Sequence, residues 1–415
     1  MERLPGFRDF YPEPLPHADV WGTGARQYIF DKWRDAARRY NFREYDGPPL
    51  EPLELFTTKS GEEIVEQLYT FTDKGDRQIA LRPEMTPTLA RMVATHERQY
   101  KKPIKWFAIP QLYRYERQQK GRMREHFQFN ADVIGESDPA ADAELIALLI
   151  DTLRSFGLSE ADFVIRLSSR NAWQEFFQSK PGNNDVARAY EFFQVIDKME
   201  RARGEETEKK LSALGFSMAD VNQFIEAAKP TAELAAILQN LRARGLQEFV
   251  KLDYRIIRGL AYYTGVVFEA FARKGQMRAI AGGGRYDNLL KLISGGKVDL
   301  PALGFGMGDV VLRDLLAEAH LLPAFEPGVD VFVLVEDESL RAASLKLIQD
   351  LRAGGANVEY ALTPAKADKQ FKRAQELRAR FTLKVENGSL GRLRNLKTRE
   401  EKMLPLDQVQ DSLLA

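Results

Sequence analysis

The hydrophobic pattern at the start of the chain predicts a region that mixes helices with strands. Apolar residues recur at helical spacing over 17–40 and 139–155. Between these helices the sequence alternates between apolar runs and polar turns, which predicts a strand–turn–strand unit within 67–84 and longer strands at 104–117 and 126–135. A polar loop joins the last two strands, so we expect an antiparallel hairpin there.

The middle of the chain has a different pattern. Residues 171–247 are rich in Ala, Glu, Lys and Leu at helical spacing and show no strand pattern. We therefore predict a helical insertion over this stretch. Strand patterning returns at 256–271 and continues through 279–285.

Prolines at 323 and 327 indicate a linker, after which strands and helices alternate regularly. The predicted elements are strand 329–335, helix 339–354, strand 356–360, helix 364–379 and strand 381–385. This alternation is typical of a small α/β domain. We therefore expect a first domain over 1–322 and a second over 328–415.

Composition narrows the possible chemistry. The 415 residues include no cysteine, which excludes disulfides, thiolate catalysis and cysteine-based metal sites. No pair among the four histidines has metal-ligand spacing, so we expect no resident metal site. No apolar run reaches the roughly 18 residues that span a bilayer, and the first residues lack a signal-peptide pattern. These observations predict a cytoplasmic protein that does not associate with membranes.

The predicted hairpin carries a set of polar residues suited to a nucleotide. Strand alternation places Arg114 and Glu116 on one face of the first strand, and Gln128, Asn130 and Asp132 on one face of the second. The planar fork of an arginine can donate two hydrogen bonds to a phosphate. A solvated hairpin with cross-strand ion pairs is the alternative. This segment alone leaves both interpretations open.

Several segments resemble one family, the histidine–tRNA ligases of the class II aminoacyl-tRNA synthetases. Residues 114–117, the Gln-Lys-Gly-Arg loop and 127–128 are similar to motif 2 of that class. Residues 82–86 resemble the Arg-Pro-Glu-x-Thr element of the family. Residues 258–269 and 282–287 resemble two signatures that distinguish the histidine enzymes from other class II synthetases.

The resemblance implies an α+β fold, with a class II antiparallel-sheet catalytic domain that holds the helical insertion and a C-terminal α/β anticodon-binding domain. It implies ATP-dependent ligation of L-histidine to tRNA(His) through a histidyl-adenylate intermediate. The implied partners are tRNA(His), L-histidine and ATP, with Mg²⁺ as cofactor and a homodimer as the assembly.

The resemblance also assigns roles to individual residues. The catalytic arginines would be Arg258 and Arg114, and both would bind ATP together with Glu116. The histidine-binding residues would be Glu84, Thr86, Gln128, Asp132, Tyr262 and Tyr263. The tRNA-binding residues of the hairpin loop would be Arg117, Lys120 and Arg122.

Motif 3 departs from the pattern of the class. Class II enzymes usually carry Gly-x-Glu-Arg there, but the segment 304–310 has valine instead of the arginine that contacts ATP. Arg313 lies one helical turn further on, and we hypothesise that it substitutes.

The second domain contains a basic stretch. Residues 366–402 include twelve Lys and Arg against five Asp and Glu, and 369–374 resemble the helix of the family's anticodon-binding domain. A solvated helix face is the alternative interpretation, whereas a basic α/β domain is typical of contacts with an RNA stem–loop.

Two rival functions are also consistent with the sequence. The regulatory subunit of ATP phosphoribosyltransferase is a synthetase-like protein that binds histidine without charging tRNA. A synthetase-like interaction module without catalysis is the other rival. The presence of Arg114, Arg258 and a basic C-terminal domain favours the ligase, and histidine-dependent exchange of pyrophosphate into ATP would separate it from both rivals.

Overall fold

The chain forms two compact units, Met1–Pro323 and Ala324–Ala415. The structure is a computed structural model that describes residues 2–12, 21–60, 62–115, 123–180, 183, 185–199, 204–257, 263–274, 278–325 and 328–414. Among these residues, no helix combines the length and the apolar character needed to cross a bilayer.

The first unit contains both strands and helices. Its strands are β1 Phe10–Tyr11, β2 Trp21–Gly22, β3 Arg43–Glu44, β4 Leu50–Pro52, β5 Thr70–Thr72, β6 Gln78–Leu81, β7 Ile104–Ala108, β8 Gln111–Tyr113, β9 Glu125–Ile134, β10 Phe163–Ser169, β11 Val250–Leu252, β12 Val266–Ala272, β13 Ala281–Arg285 and β14 Ala302–Gly308. Its α-helices are α1 Thr23–Arg39, α2 Leu53–Ser60, α3 Thr86–His96, α4 Pro139–Arg154, α5 Arg170–Gln178, α6 Val186–Lys198, α7 Gly204–Ala213, α8 Met218–Ala227, α9 Ala232–Ala243, α10 Leu289–Ile293 and α11 Asp309–Glu318.

A large, mainly antiparallel sheet organises this unit. Its strand order is β11-β10-β12-β13-β14-β9-β7-β3, with β8 pairing to β9. Helix α4 is apolar around most of its circumference and is buried in the main hydrophobic core, as expected of a core helix. Trp33 of α1 stacks on Phe129 of β9, with ring centroids 5.7 Å apart. One face of the sheet is therefore covered by helices, and the predicted α+β class with an antiparallel sheet is confirmed.

Helices α5 to α9 lie between strands β10 and β11 in the sequence, which confirms the predicted helical content of 171–247. Aromatic rings fill the core of this segment, and Trp173 contacts Phe192 and Phe224. The Trp173 indole N–H donates to the Tyr254 carbonyl at 3.0 Å. This bond ties the helical segment to the chain that follows β11.

Two strand predictions need correction. The predicted strand 104–117 is divided into β7 and β8, because Pro110 has no N–H with which to continue the ladder. The predicted strand 256–271 is wrong at its start, since β12 begins only at Val266. Residues 258–262 of that prediction lie outside the described residues.

The second unit has a five-stranded mixed sheet. Its strands are β15 Val331–Leu334, β16 Val358–Tyr360, β17 Phe381–Val385, β18 Leu390–Asn395 and β19 Glu401–Pro405, and its α-helices are α12 Arg341–Ala353, α13 Ala367–Glu376 and α14 Val409–Leu414. The strand order is β16-β15-β17-β18-β19, with parallel pairs on either side of β15 and antiparallel pairs after β17. The predicted α/β character is confirmed, although β18, β19 and α14 were not predicted from the sequence pattern.

Candidate active site

A polar pocket lies on one face of the large sheet. It brings together six residues that the sequence marked for histidine or ATP: Glu84, Thr86, Arg114, Gln128, Asp132 and Tyr263. Asn130, which strand alternation places on the same hairpin face, also lines the pocket, and so do Gly282, Tyr286, Gly304, Phe305 and Gly306. Side chains from distant segments therefore converge on one cavity.

The floor of the pocket is built by two neighbouring strands. Asp132 of β9 lies opposite Gly304 of β14, and Asn130 lies opposite Gly306. A Cβ atom at Gly306 would lie 2.7 Å from the Gln128 side-chain amide carbon, and one at Gly304 would overlap the Asp132 carboxylate. The two glycines therefore leave the space that the polar side chains of β9 occupy.

Asp132 is the buried carboxyl group of the pocket. Its exposed fraction is 4%, and the Tyr286 hydroxyl donates to its Oδ1 at 2.6 Å. Burial raises the pKa of Asp132 to about 7, and the hydrogen bond from Tyr286 acts in the opposite direction. A carboxylate held in this way can accept a hydrogen bond from a ring N–H. Tyr286 has no role predicted from the sequence, although it lies within the signature segment 282–287.

Glu84 and Thr86 reach the pocket from the segment that leads into α3. Thr86 is the first residue of that helix, while Met85 is the cap residue and makes no side-chain capping bond. The Thr86 hydroxyl faces the same cavity as the Glu84 carboxylate, and the two groups together suit an ammonium ion.

Arg82 anchors this segment through buried hydrogen bonds. Its buried guanidinium donates to the Gly47 carbonyl at 2.6 Å and to the Gln111 carbonyl at 3.1 Å, and it contacts the Asp46 carboxylate at 3.0 Å. These bonds join the segment to β8, one of the strands of the motif 2 hairpin. Glu84 is therefore held at a defined position relative to the hairpin.

Arg114 follows β8 and is oriented by backbone contacts. Its Nε donates to the Pro83 carbonyl at 3.0 Å, and its backbone N–H donates to the Arg124 carbonyl at 2.8 Å. The first bond fixes one edge of the guanidinium next to Glu84. Since Arg114 also lines the pocket, its side chain is positioned to meet a ligand there.

The remaining predicted site residues are not placed by the structure. Arg258, Tyr262, Glu116, Arg117, Lys120 and Arg122 lie outside the described residues. Tyr263, directly after the gap at 258–262, lines the pocket.

A buried ionic network beneath the hairpin was not found from the sequence. The Arg8 guanidinium donates to Glu125 at 2.7 and 3.3 Å and to Asp309 at 2.9 Å, and the Phe127 N–H donates to Asp309 at 3.0 Å. The three charged side chains are at most 2% exposed. Burial raises the pKa of Asp309 to about 6, although the charge of Arg8 lowers it. The network ties the amino-terminal segment to β9 and to the first residue of α11.

Arg313 lies on α11, and its surroundings bear on the hypothesis that it replaces the motif 3 arginine. Its guanidinium carbon is 4.9 Å from the Trp21 ring centroid, and its Nη1 is 3.3 Å from Asp314. Arg313 is not among the described residues that line the polar pocket. The hypothesis therefore has no support from the geometry of the pocket.

The basic stretch of the second unit separates into two groups. On β18, Arg392 lies 2.7 Å from Glu386, and Arg394 lies 3.4 Å from Glu401. On α13, Arg373 lies 3.3 Å from Glu376 and is 59% exposed. The strand arginines are thus paired with acidic residues of β19 and of the turn before β18, and Arg373 of the helix is paired with Glu376 while it stays largely exposed.

Similarity to known proteins extends over nearly the whole chain. The family model described as Histidyl-tRNA synthetase matches residues 23–308, and the model described as Anticodon binding domain matches residues 329–415. The chain is 44% identical to the histidine–tRNA ligase of Opitutus terrae, over 99% of this chain and 97% of that protein. It is 37% identical to the chloroplastic/mitochondrial histidine–tRNA ligase of Arabidopsis thaliana, over 93% of this chain and 81% of that protein. The apo crystal structure of S. aureus histidyl-tRNA synthetase matches with a TM-score of 0.76 and 25% identity over 100% of both chains.

Proposed function

The chain belongs to the histidyl-tRNA synthetase family, and from that premise we propose that it joins L-histidine to tRNA(His) at the polar pocket. In the first step the histidine carboxylate attacks the α-phosphorus of ATP, so that histidyl adenylate forms and pyrophosphate leaves. In the second step a ribose hydroxyl at the tRNA end attacks the acyl carbon, and AMP leaves. The observation that carries the proposal is the convergence of six predicted substrate-binding residues on one cavity.

Histidine is held by polar groups at both ends. Its ammonium group lies against Glu84, the Thr86 hydroxyl and the side-chain oxygen of Gln128. Its imidazole donates one N–H to the buried Asp132 carboxylate and meets the Tyr263 hydroxyl, with Tyr262 assigned to the same pocket by resemblance. An apolar side chain would leave these buried groups without partners, which is costly and gives strong discrimination.

ATP is held on the hairpin side of the pocket. The Arg114 fork donates to the α-phosphoryl oxygens, and Glu116 contacts the adenine side. Arg258 stabilises the negative charge that builds up on those oxygens during attack, which is worth about 3–4 kcal/mol for one such donor. The support for Arg258 is the family signature and the position of Tyr263 in the pocket, five residues further along the chain.

The tRNA contacts are divided between two domains in this proposal. Arg117, Lys120 and Arg122 of the hairpin loop face the acceptor end, and the domain 328–415 binds the anticodon. The domain 1–322 carries catalysis. A homodimer and a cytoplasmic location are proposed from the family resemblance alone.

In this proposal, Mg²⁺ binds together with ATP and is not held by the protein alone. Mg²⁺ is commonly bound through substrate phosphates with one or two carboxylates and several waters. Within the described ranges, no group of three or more carboxylate, imidazole or thiol side chains is placed to hold a metal. When bound, the ion neutralises charge on the phosphates, while the arginines of the chain orient the α-phosphoryl group.

The regulatory subunit of ATP phosphoribosyltransferase is the less supported alternative. The two relatives are named histidine–tRNA ligases, and their matches cover 93–99% of this chain. The match to the anticodon-binding model over 329–415 also favours a protein that binds tRNA.

The test of this proposal compares alanine variants of two neighbouring arginines, Arg258 and Arg255. Arg258→Ala should reduce histidine-dependent pyrophosphate exchange by about a hundredfold or more, because the transition-state charge loses a fixed donor. Histidine binding measured by calorimetry should persist. Arg255→Ala is the matched control, since Arg255 is half exposed and does not line the pocket. Normal exchange in Arg258→Ala would remove the role assigned to that residue.

A further inference from the structure

Two residues outside the polar pocket lie next to two tyrosines that line it. Thr264 follows Tyr263 in the sequence, and Asp287 follows Tyr286. Both tyrosines are buried and line the cavity. Thr264 and Asp287 are half-buried and are not among the described residues that line it. The proposed reaction assigns no role to either of these two neighbours.

Thr264 and Asp287 lie opposite each other beyond the paired part of two strands. In the antiparallel register of β12 and β13, Val267 pairs with Gly284. The same register, continued by three residues, places Thr264 opposite Asp287. Neither residue belongs to its strand, because Thr264 precedes β12 and Asp287 follows β13. Any connection between the two segments at this point must therefore come from contacts outside the regular ladder.

Reciprocal hydrogen bonds supply this connection. The Thr264 hydroxyl donates to Oδ2 of Asp287 at 2.7 Å, and it accepts the backbone N–H of Asp287 at 3.2 Å. The Thr264 N–H donates to the Arg285 carbonyl at 2.9 Å. Valine in place of Thr264 could make only the last of these bonds, because the other two need a hydroxyl. Thr264 and Asp287 thus form a clamp that the threonine hydroxyl closes.

The second carboxylate oxygen of Asp287 connects the clamp to β14. Oδ1 accepts the Ala302 N–H at 3.2 Å, and the Tyr286 N–H donates to the Ala302 carbonyl at 2.8 Å. Ala302 is the first residue of β14, the strand whose Gly304 lies opposite Asp132. The carboxylate therefore joins the segment before β12, the segment after β13 and the start of β14.

The clamp fixes the backbone within one residue of each tyrosine. The Tyr263 ring lies against Gly284, where a Cβ atom would be 3.0 Å from its Cδ1. The Tyr286 hydroxyl donates to Asp132 at 2.6 Å. Since a side chain moves with its backbone, the distance held by the clamp also sets the position of Tyr263 relative to Tyr286 and Asp132.

We propose that the clamp is a positioning device for imidazole recognition, which sets Tyr263 and Tyr286 at the spacing that the histidine ring requires before the substrate binds. The inference rests on the proposed function, in which the imidazole meets the Tyr263 hydroxyl and the Asp132 carboxylate. Thr264 and Asp287 are positioning residues, because they act through the two tyrosines. A pocket that is ordered in advance binds its ligand more tightly. Without the clamp, part of the binding free energy of histidine is consumed in ordering the tyrosines.

The test measures histidine-dependent pyrophosphate exchange in variants of the full-length protein. Thr264→Val should raise the histidine KM about five- to thirtyfold, as expected for the loss of the hydrogen bonds that the hydroxyl makes. The ATP KM should stay unchanged, because the proposed ATP contacts of the hairpin do not involve the clamp. Thr264→Ser should bring the histidine KM back close to that of the unaltered protein, since serine restores the hydroxyl.

A double-mutant cycle tests whether the two residues act as one unit. Asp287→Ala should raise the histidine KM at least as much as Thr264→Val, because it also removes the bond to Ala302. The double variant should be no worse than Asp287→Ala alone, since the hydroxyl has already lost its acceptor. Effects of the two substitutions that simply multiply would overturn the inference.

Thr152→Val is the matched control, since Thr152 is buried in α4 and its hydroxyl donates to the Leu148 carbonyl at 2.7 Å. It should leave the histidine KM unchanged, whatever its effect on stability in urea. A normal histidine KM in Thr264→Val would overturn the inference, as would an equal rise of the histidine and ATP KM values. Failure of the proposed function is distinguishable, because the unaltered protein would then show no histidine-dependent exchange. That result would overturn both.

Discussion

Removal of one hydroxyl group tests how the pocket recognises imidazole. In Tyr286→Phe the aromatic ring remains, but Asp132 loses the donor that lies 2.6 Å from its Oδ1. Both side chains are buried, with exposed fractions of 2% and 4%, so water cannot readily replace the lost donor. The substitution therefore changes the state of the carboxylate while it leaves the packing of the pocket nearly intact.

The expected magnitude follows from the chemistry of this hydrogen bond. A hydrogen bond to a charged group contributes about 1.5–3 kcal/mol, which corresponds to roughly a ten- to hundred-and-fifty-fold change in an equilibrium constant. The bond from Tyr286 favours the ionised form of Asp132, whose pKa is about 7 in the folded protein. Without the bond, the pKa rises further, so the carboxyl group is mostly neutral at pH 7. Histidine binding then needs a higher pH.

The assay is histidine-dependent pyrophosphate exchange, measured across about pH 6 to pH 9. Tyr286→Phe should raise the histidine KM at pH 7 by about tenfold or more and leave the ATP KM unchanged. The pH at which the histidine KM reaches its low plateau should move upward. Tyr45→Phe is the matched control, because the buried Tyr45 hydroxyl has no hydrogen-bond partner among the described residues. An unaltered histidine KM for Tyr286→Phe at every pH would refute the assigned role of Asp132.

Three further substitutions test the polar pocket and the buried ionic network of Arg8. Asp132→Asn should abolish selective histidine binding yet raise the free energy of unfolding at pH 8 by up to roughly 4 kcal/mol. Burial raises the pKa of Asp132 to about 7, so the unaltered protein loses stability as the pH rises from about 4 to 7, whereas the asparagine variant does not. Urea unfolding at pH 5 and pH 8 measures this difference. Gly304→Ala should raise the histidine KM at least tenfold, since its methyl group overlaps the Asp132 carboxylate. Gly308→Ala is the control and should leave the histidine KM unchanged, because its methyl group would lie 4.0 Å from the His126 ring. Arg8→Met should lower the free energy of unfolding by about 3–5 kcal/mol, because it leaves two buried carboxylates without their partner; urea unfolding that matches the unaltered protein would contradict this.

The elements with strong periodicity were predicted well from the sequence. Helix α4 was predicted at 139–155 and spans Pro139–Arg154, and β9 was predicted at 126–135 and spans Glu125–Ile134. Both bury long apolar faces, so their patterns are clear. Strands β18 and β19 were missed because only Gly391 and Leu393 are buried among their residues, so neither strand carries a clear apolar pattern.

The candidate site was predicted through resemblance and not through local pattern. Glu84 and Tyr263 lie far apart in the sequence, and no periodicity indicates that they share a cavity. The structure brings them together, but their roles stay predictions. The contact between Arg8 and Asp309 spans 301 positions and had no sequence signal, because a loop arginine before a proline-rich segment fits a solvated residue equally well.

The most direct test of the account is amino-acid specificity in the activation step. The protein is supplied with ATP, Mg²⁺ and one proteinogenic amino acid at a time, and exchange of labelled pyrophosphate into ATP is measured. Histidine should support exchange, and leucine, glutamine and asparagine should not, because only imidazole satisfies the buried carboxylate and hydroxyl groups of the pocket. Exchange driven by a different amino acid, or none with histidine, would contradict the account.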